Sequence, residues 1–320
     1  MLKRFSVRKI SLASAALLTI VLLYVMPATE ERINPLETLE YVDVKAHTNP
    51  IFLMDQNSYV ARTEVVLTDG QIEAKARELI SILTVGGIDS KIPSGFSAII
   101  PPDTRILSLE YEKGLIKVNF SADLLDIDIY REQKMIEALV YTLTSIDDVN
   151  KVIIYVEGEI LTKLPKTKEN LPSTLDRTFG INKEYNFSKV SKINDVTVYY
   201  VNRINDKYYY VPVTKYLNDD RDKIKIVIDQ LKNSITDTNL MSFLNSDAKL
   251  VSSTIKNDVL NLEFNEAIFD DINTKEILEE VIYTISLSAY DNYNVKEVVF
   301  KVGNEEICAV NSTKNTCTND

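Results

Sequence analysis

A chain of 320 residues with 45% hydrophobic and 26% charged residues has a globular composition and enough length for two cores. Its formal net charge of -11 provides no broad positive surface for a phosphate backbone, so nucleic acid is excluded as the expected partner. With a single histidine, His47, neither a histidine-built metal cluster nor a repeated nucleophile and base pair can be assembled.

Residues 1–9 carry Lys3, Arg4, Arg8 and Lys9 and predict a basic cytoplasmic N-terminus. Residues 10–27 hold the uncharged run "ISLASAALLTIVLLYVM" before Pro27. At full helical rise the run reaches roughly 26 Å, enough to cross a slightly thinned bilayer. A cleaved signal peptide and an uncleaved anchor both suit this pattern. Met26, where cleavage prefers a small side chain, tips the reading to a signal-anchor. Residues 28–46 form an acidic stalk, and everything beyond the span is expected to be extracytoplasmic.

From residue 47 the chain repeats itself. Domain 1, residues 47–161, opens with a strand pair over 51–67. A helix follows, with its apolar stripe at Ala76, Leu79, Ile80 and Leu83. Next come a hairpin over 106–121 turning at Lys113-Gly114, a second helix on Met135, Ile136, Leu139, Val140 and Leu143, and the strand "VNKVIIYVEGE". Domain 2, residues 193–307, has the same order: strands over 196–217, then a helix on Ile224, Val227, Ile228 and Leu231. Its hairpin spans 250–265 about Asn257-Asp258, its second helix runs through Ile277, Leu278, Val281, Ile282 and Ile285, and "VKEVVFKVGNE" closes it. Asp69 in one copy and Asp219 and Asp220 in the other stand where carboxylates cap a helix. The ββαββαβ order predicts two α+β domains, each with its helices packed on one face of a small mixed sheet. Residues 162–192 are polar, contain two prolines and lack a sustained period, which reads as a linker. Pieces spanning 45–165 and 190–310 are therefore expected to fold separately. In the tail, 308–320, Cys308 and Cys317 are open to two readings, a local disulfide or two free thiols.

The ordered segments "LTVGG", "IPSGFSAIIPPDTRILSLEYEKGLIKVNFSADL" and "IEALVYTLTSIDDVNKVIIYVEGE", with "TVYYVNRINDKYYYVPVTK" in the second copy, resemble the GerMN domain. The resemblance covers about residues 47–307 as a tandem pair. It implies a fold like the ring-building motif and a membrane-attached, extracytoplasmic protein of spore-forming bacteria. It also implies a role in sporulation or germination, envelope or sporulation-channel proteins as partners, and an oligomeric state left open. Members of that family commonly carry a lipidated cysteine after the signal. Here no cysteine precedes Cys308, so the N-terminal span would have to provide the membrane attachment.

A cortex-directed hydrolase would need two carboxylates facing one cleft. Asp123, Asp126 and Asp128 in one copy, and Glu266, Asp270 and Asp271 in the other, occupy the same loop but read as solvated helix-entry groups. Ser121 ends a strand with no nucleophile elbow around it, and Gly86-Gly87 more simply ends a helix. No catalytic, cofactor or metal residue is assigned. The stretch "VYYVNRINDKYYY" holds five of the 17 tyrosines. Tyr199, Tyr200, Tyr208, Tyr209 and Tyr210, with Arg203 and Lys207, are candidates for an aromatic, basic interface on domain 2. Alternation requires that one of Tyr208 and Tyr209 point outward. Tyr141 and Tyr283, in the repeated helix beside Thr142 and Thr284, are further contact candidates whose plainer role is packing at the core edge. The expected function is that of a non-catalytic assembly component of a sporulation or envelope complex. A peptidoglycan- or peptide-binding module is the alternative, and hydrolysis a more distant one.

Overall fold

A computed structural model describes residues 48–233, 239–312 and the backbone of 317–318. The basic N-terminus, the 10–27 segment, the stalk and His47 lie outside the described residues. Among the described residues no helix is long and apolar enough to cross a membrane.

The first repeat starts with β1 (Thr48–Asp55) and β2 (Val60–Val66), followed by α1 (Ile72–Leu83) and the short β3 (Phe96–Ser97). A hairpin of β4 (Ile106–Glu112) and β5 (Leu115–Phe120) leads into α2 (Glu132–Leu143), then β6 (Lys151–Val156) and β7 (Glu159–Ile160). Through β8 (Glu184–Asn186) the chain enters the second repeat: β9 (Asn194–Ile204), β10 (Lys207–Leu217), α3 (Lys223–Lys232), β11 (Leu250–Lys256) and β12 (Val259–Phe264). It closes with α4 (Glu279–Asn292), β13 (Glu297–Val302), β14 (Glu305–Asn311) and β15 (Cys317–Thr318).

The fold is α+β with mixed sheets, but the arrangement differs from one sheet per repeat with both helices on one face. Each repeat divides its strands between two sheets. The second hairpin and the last strands form an outer sheet, β4-β5-β6-β7 in one copy and β11-β12-β13-β14-β15 in the other. In each, the crossover through the second helix makes one parallel pair, β5 with β6 and β12 with β13. The first hairpins of both repeats instead join a single sheet, β3-β1-β2-β10-β8, with β9 on the other side of β10. The reason is visible in burial. Ile51 to Met54 and Val196 to Asn202 are buried without alternation, so both faces of these hairpins need cover. In each repeat the second helix lies between a hairpin and an outer strand, α2 touching β1, β2 and β6.

The caps also differ from expectation. The α1 N-cap is Gln71, without a side-chain bond, and the α3 cap is Asp222, whose carboxylate accepts from the Ile224 N–H at 3.1 Å. Asp219 instead accepts from the Arg221 guanidinium.

Residues 162–192 do not behave as a free spacer. Leu164, Leu171, Leu175 and Ile181 are buried in the core of the first repeat. The buried Glu132 carboxylate receives the backbone N–H groups of Lys166 and Thr167 at 2.5 and 2.9 Å, which tethers the segment to the start of α2. Those bonds hold the Glu132 pKa below the usual carboxylate range, although burial pushes the other way. Further on, residues 181–186 take over the edge of β10 where β2 leaves it. Lys215 to Leu217 pair in parallel with Glu184 to Asn186, and the Thr214 N–H donates to the Ile181 carbonyl at 2.8 Å. Gly180 makes the approach feasible: its φ is 78° and a Cβ there would lie 3.2 Å from that of Thr214.

A burial of this kind predicts a specific failure on truncation. Each fully buried leucine or isoleucine contributes about 1.5–3 kcal/mol. A piece spanning 45–165 lacks Leu171, Leu175 and Ile181, so it should melt well below a piece spanning 45–186, as measured by circular dichroism. Equal melting of the two would mean that the connector adds nothing to the first core.

Candidate functional site

The tyrosines singled out in the sequence do not form an outward face. Tyr199 and Tyr200 are each 1% exposed and Tyr209 is 7% exposed, and Tyr141 is fully buried. Tyr141 of α2, Tyr199 of β9 and Tyr209 of β10 line the seam between the repeats, whereas Tyr200 packs in the core of the second repeat.

Arg177, from the connector, stands at the centre of the seam. Its Nη1 forms an ion pair with Asp291 of α4, whose side chain is 3% exposed. Its Nη2 donates to Ser145 Oγ at 2.7 Å and its Nε to Thr144 Oγ1 at 3.2 Å, both just beyond α2. The guanidinium lies 4.9 Å from the centre of the Tyr141 ring and 5.7 Å from that of Phe52, which themselves meet edge to face. Tyr199 OH donates to the other Asp291 oxygen at 2.8 Å, and Tyr141 OH to the Arg177 carbonyl at 3.2 Å. Burial works against the Arg177 charge, and the Asp291 carboxylate more than reverses this, so its pKa lies above the ordinary value. Burial and the same carboxylate push the Tyr141 and Tyr199 phenols up, which keeps both as neutral donors.

Two further contacts flank this centre. Asp55, at the β1–β2 turn, accepts from the N–H groups of Asn57 and Tyr59 through one oxygen and from Tyr209 OH at 2.7 Å through the other. Its neighbourhood is sealed by Phe96, edge to face with Tyr209, and by Gly95, whose missing Cβ would sit 2.6 Å from an Ile204 methyl. Asn182, in left-handed backbone at φ 45°, bridges the two hairpins where ladder pairing is sparse. Its Nδ2 donates to the carbonyls of Val60 and Pro212, each at 2.8 Å, and its Oδ1 accepts from the Val60 N–H at 2.9 Å. The one direct ladder pair between β2 and β10 is Tyr210 with Arg62. Tyr210 also meets Tyr283 of α4 edge to face within the second repeat, and burial followed by nearby Glu279 pushes the Tyr283 phenol up to about 12.

The outward candidates are fewer. Arg203 and Lys207 are exposed, and Tyr208 is 44% exposed with its ring against Phe243. The repeated threonines have divergent roles. Thr142 Oγ1 accepts from the Phe52 N–H at 3.0 Å, whereas Thr284 bonds within its own helix and Ser288 accepts from the Tyr199 N–H at 2.9 Å. Cys308 is buried in β14 and disulfide-bonded; the one other cysteine, Cys317, has its backbone in the adjacent β15.

Three of the six loop carboxylates hold turns. Asp123 accepts from Ser121 Oγ at 2.7 Å, Asp128 from the Tyr130 N–H at 2.8 Å and Asp271 from the Asn273 N–H at 2.8 Å. Among the described residues no three His, Cys, Asp or Glu side chains are set to hold a metal ion. Nothing in the local sequence singles out Arg177, Asp291, Asp55 or Asn182. Their seam partners lie 30 to 154 residues away, and no local spacing signals such pairs.

Two α+β repeats fused through one sheet and clamped by their connector define the class of protein, and comparison defines its family. The chain belongs to the Germane family, described as sporulation and spore germination, whose family model matches residues 50–162 and 197–308. It is 32% identical over 259 residues to the spore germination protein GerM of Bacillus subtilis, covering 79% of this chain and 70% of that one. The solved tandem GerMN domains of the B. subtilis sporulation protein GerM superpose with a TM-score of 0.74 at 31% identity, over 81% of this chain and 91% of that one.

Two measurements check this site. In a double-mutant cycle, Arg177→Met should destabilise by about 3 kcal/mol, because it leaves the buried Asp291 charge unpaired, and Asp291→Asn by less, because the guanidinium keeps contact with solvent. The double variant should lose less than the sum by at least about 1 kcal/mol in urea unfolding, and strict additivity would remove the pair from the seam. Tyr209→Glu should unfold the seam, since it sets a carboxylate against Asp55, while Tyr208→Glu should melt within a degree or two of the parent.

Proposed function

We propose that the protein is a non-catalytic assembly component of a sporulation or cell-envelope complex, attached to the membrane by its N-terminal span with both repeats outside. Family membership supports a role in sporulation or germination, and the basic flank of residues 10–27 supports the orientation. The observation that carries the assembly reading is a duplicated surface. The edge strands β4 and β11 each break register at the same point, between Ile106 and Ser108 in one and between Leu250 and Ser252 in the other. The extra residue at that bulge is aliphatic and in solvent both times, Leu107 at 47% and Val251 at 63% exposure. Edge strands are commonly blunted by bulges or charges; an aliphatic knob at a bulge, repeated in two copies, suits a protein contact better than isolation. Among the helix-entry carboxylates, by contrast, Asp123, Asp128 and Asp271 are engaged in local turns, and the set differs between the copies.

Cross-linking of the full chain in sporulating cells tests this reading. Leu107→Lys together with Val251→Lys should cut recovery of envelope partners by roughly tenfold, the loss expected when contact residues of this size are replaced by charge. Asp126→Asn with Asp270→Asn should leave recovery and sporulation efficiency unchanged. Loss of sporulation in that carboxylate variant, with melting intact, would revive a hydrolase and sink the assembly reading.

A further inference from the structure

A cavity of about 420 Å³ opens beside the seam, between the β1–β2 turn, the entry to α2 and the connector. Two lysines face it. Lys134, in the first turn of α2, rests 6.0 Å from the centre of the Tyr59 ring and donates to the Ser58 carbonyl. Lys183, in the connector, has its Nζ 3.4 Å from the centre of the Phe179 ring. Among the described residues neither ammonium has a carboxylate within ion-pair distance. Burial pulls the pKa of both below the ordinary lysine value, so each is partly stripped of water without a paired anion.

Two acids line the cavity and neither pairs with these lysines: Glu184 bridges instead to Lys215 at 3.0 Å. Glu137 is 1% exposed, and its two oxygens already accept from the Asn182 N–H at 2.9 Å and from Gln133 Nε2 at 3.0 Å. One side of the mouth is apolar and open: Ile129 is 47% exposed and Tyr130 is 86% exposed there. A tyrosine ring held that far into water buries little of its own chain's surface and is available to a ligand. The feature is not part of the repeated scaffold. At the 142-residue offset that aligns the second helices, Lys134 corresponds to Glu276 and Ile129 to Asp271.

We infer that this cavity binds a carboxylate-bearing peptide segment, the carboxylate lying between Lys134 and Lys183 and the neighbouring apolar side chain against Ile129 and Tyr130. The size falls in the range of small-ligand pockets and admits one or two residues rather than an acyl chain. A single negative charge fits better than a phosphate dianion, because Glu137 is close to both ammonium groups. The carboxylate has two sources, a free C-terminus or an acidic side chain. The inference stands apart from the assembly reading, which rests on the two edge strands.

The test uses the purified full-length chain in detergent and fluorescein-labelled pentapeptides, read by anisotropy. One peptide ends in Tyr-Ile with a free carboxylate, a second is its C-terminal amide, and a third is amidated with one internal glutamate. The free acid or the glutamate peptide should bind, and whichever binds identifies the source. The wholly neutral amide should bind at least about tenfold more weakly, as expected when a desolvated charge pair loses one partner. Lys134→Met and Lys183→Met should each weaken binding by a comparable factor without shifting the melting temperature. Tyr130→Ala, at an exposed position that cannot unfold the chain, should weaken it about threefold. Equal binding of acid and amide, indifference to both lysine variants, or no binding of any peptide at millimolar concentration would overturn the inference. Because Leu107→Lys and Val251→Lys do not touch the cavity, they should leave peptide binding intact whatever they do to partner recovery.

Discussion

The contact on which the rest of this molecule depends is the ion pair between Arg177 and Asp291. A half-buried guanidinium and a buried carboxylate are each expensive to desolvate, and the arrangement repays this by using nearly every donor and acceptor at once. One half contributes Thr144, Ser145 and the Tyr141 ring, the other Asp291 and Tyr199, and the connector supplies the cation. Neither half satisfies the charges alone. The specific angle between the repeats follows from that requirement more than from apolar area, since hydrophobic contact is indifferent to direction.

The same logic governs the shared sheet. Two hairpins meeting edge to edge would normally zip together along a ladder, yet here direct pairing is reduced to Tyr210 and Arg62. Pro212 removes one ladder donor at the junction, and Asn182 supplies the bonds that the ladder lacks. Further along β10 the connector itself becomes the neighbouring strand. A segment that joins two domains in sequence thus acts as the edge of both in space, and this leaves the outer sheets, with β4 and β11, as the surfaces on which the two copies remain alike.

That division has a functional meaning. The duplicated features face outward on the edge strands, whereas the features unique to one copy cluster at the seam and in the cavity beside it. Duplication suits contacts made repeatedly, and a cavity with two desolvated lysines suits a single recognition event. Membership of the Germane family connects the chain to sporulation and germination.

Much of this architecture is written locally. The 3.6-residue stripes of Leu79, Ile80 and Leu83 or Val281, Ile282 and Ile285, and the turns at Lys113-Gly114 and Asn257-Asp258, specify helices and hairpins because each depends on neighbours within a few residues. The duplication was legible for the same reason, and so was the family. The division of strands between sheets was not, since the run Ile51 to Met54 announces burial on both faces without saying by what. Likewise Tyr199 and Tyr209 read as surface aromatics because strand alternation carries no information about a second sheet neighbour. The polar look of residues 162–192 hid Leu164, Leu171, Leu175 and Ile181, which are buried one by one with no period. Sequence alone determined the elements, their order and their repetition. Which polar groups would be buried, and against which distant partners, was decided only when Arg177, Asp55 and Asn182 were brought to the seam, because a hydrogen bond between residues a hundred positions apart leaves no trace in the spacing of either.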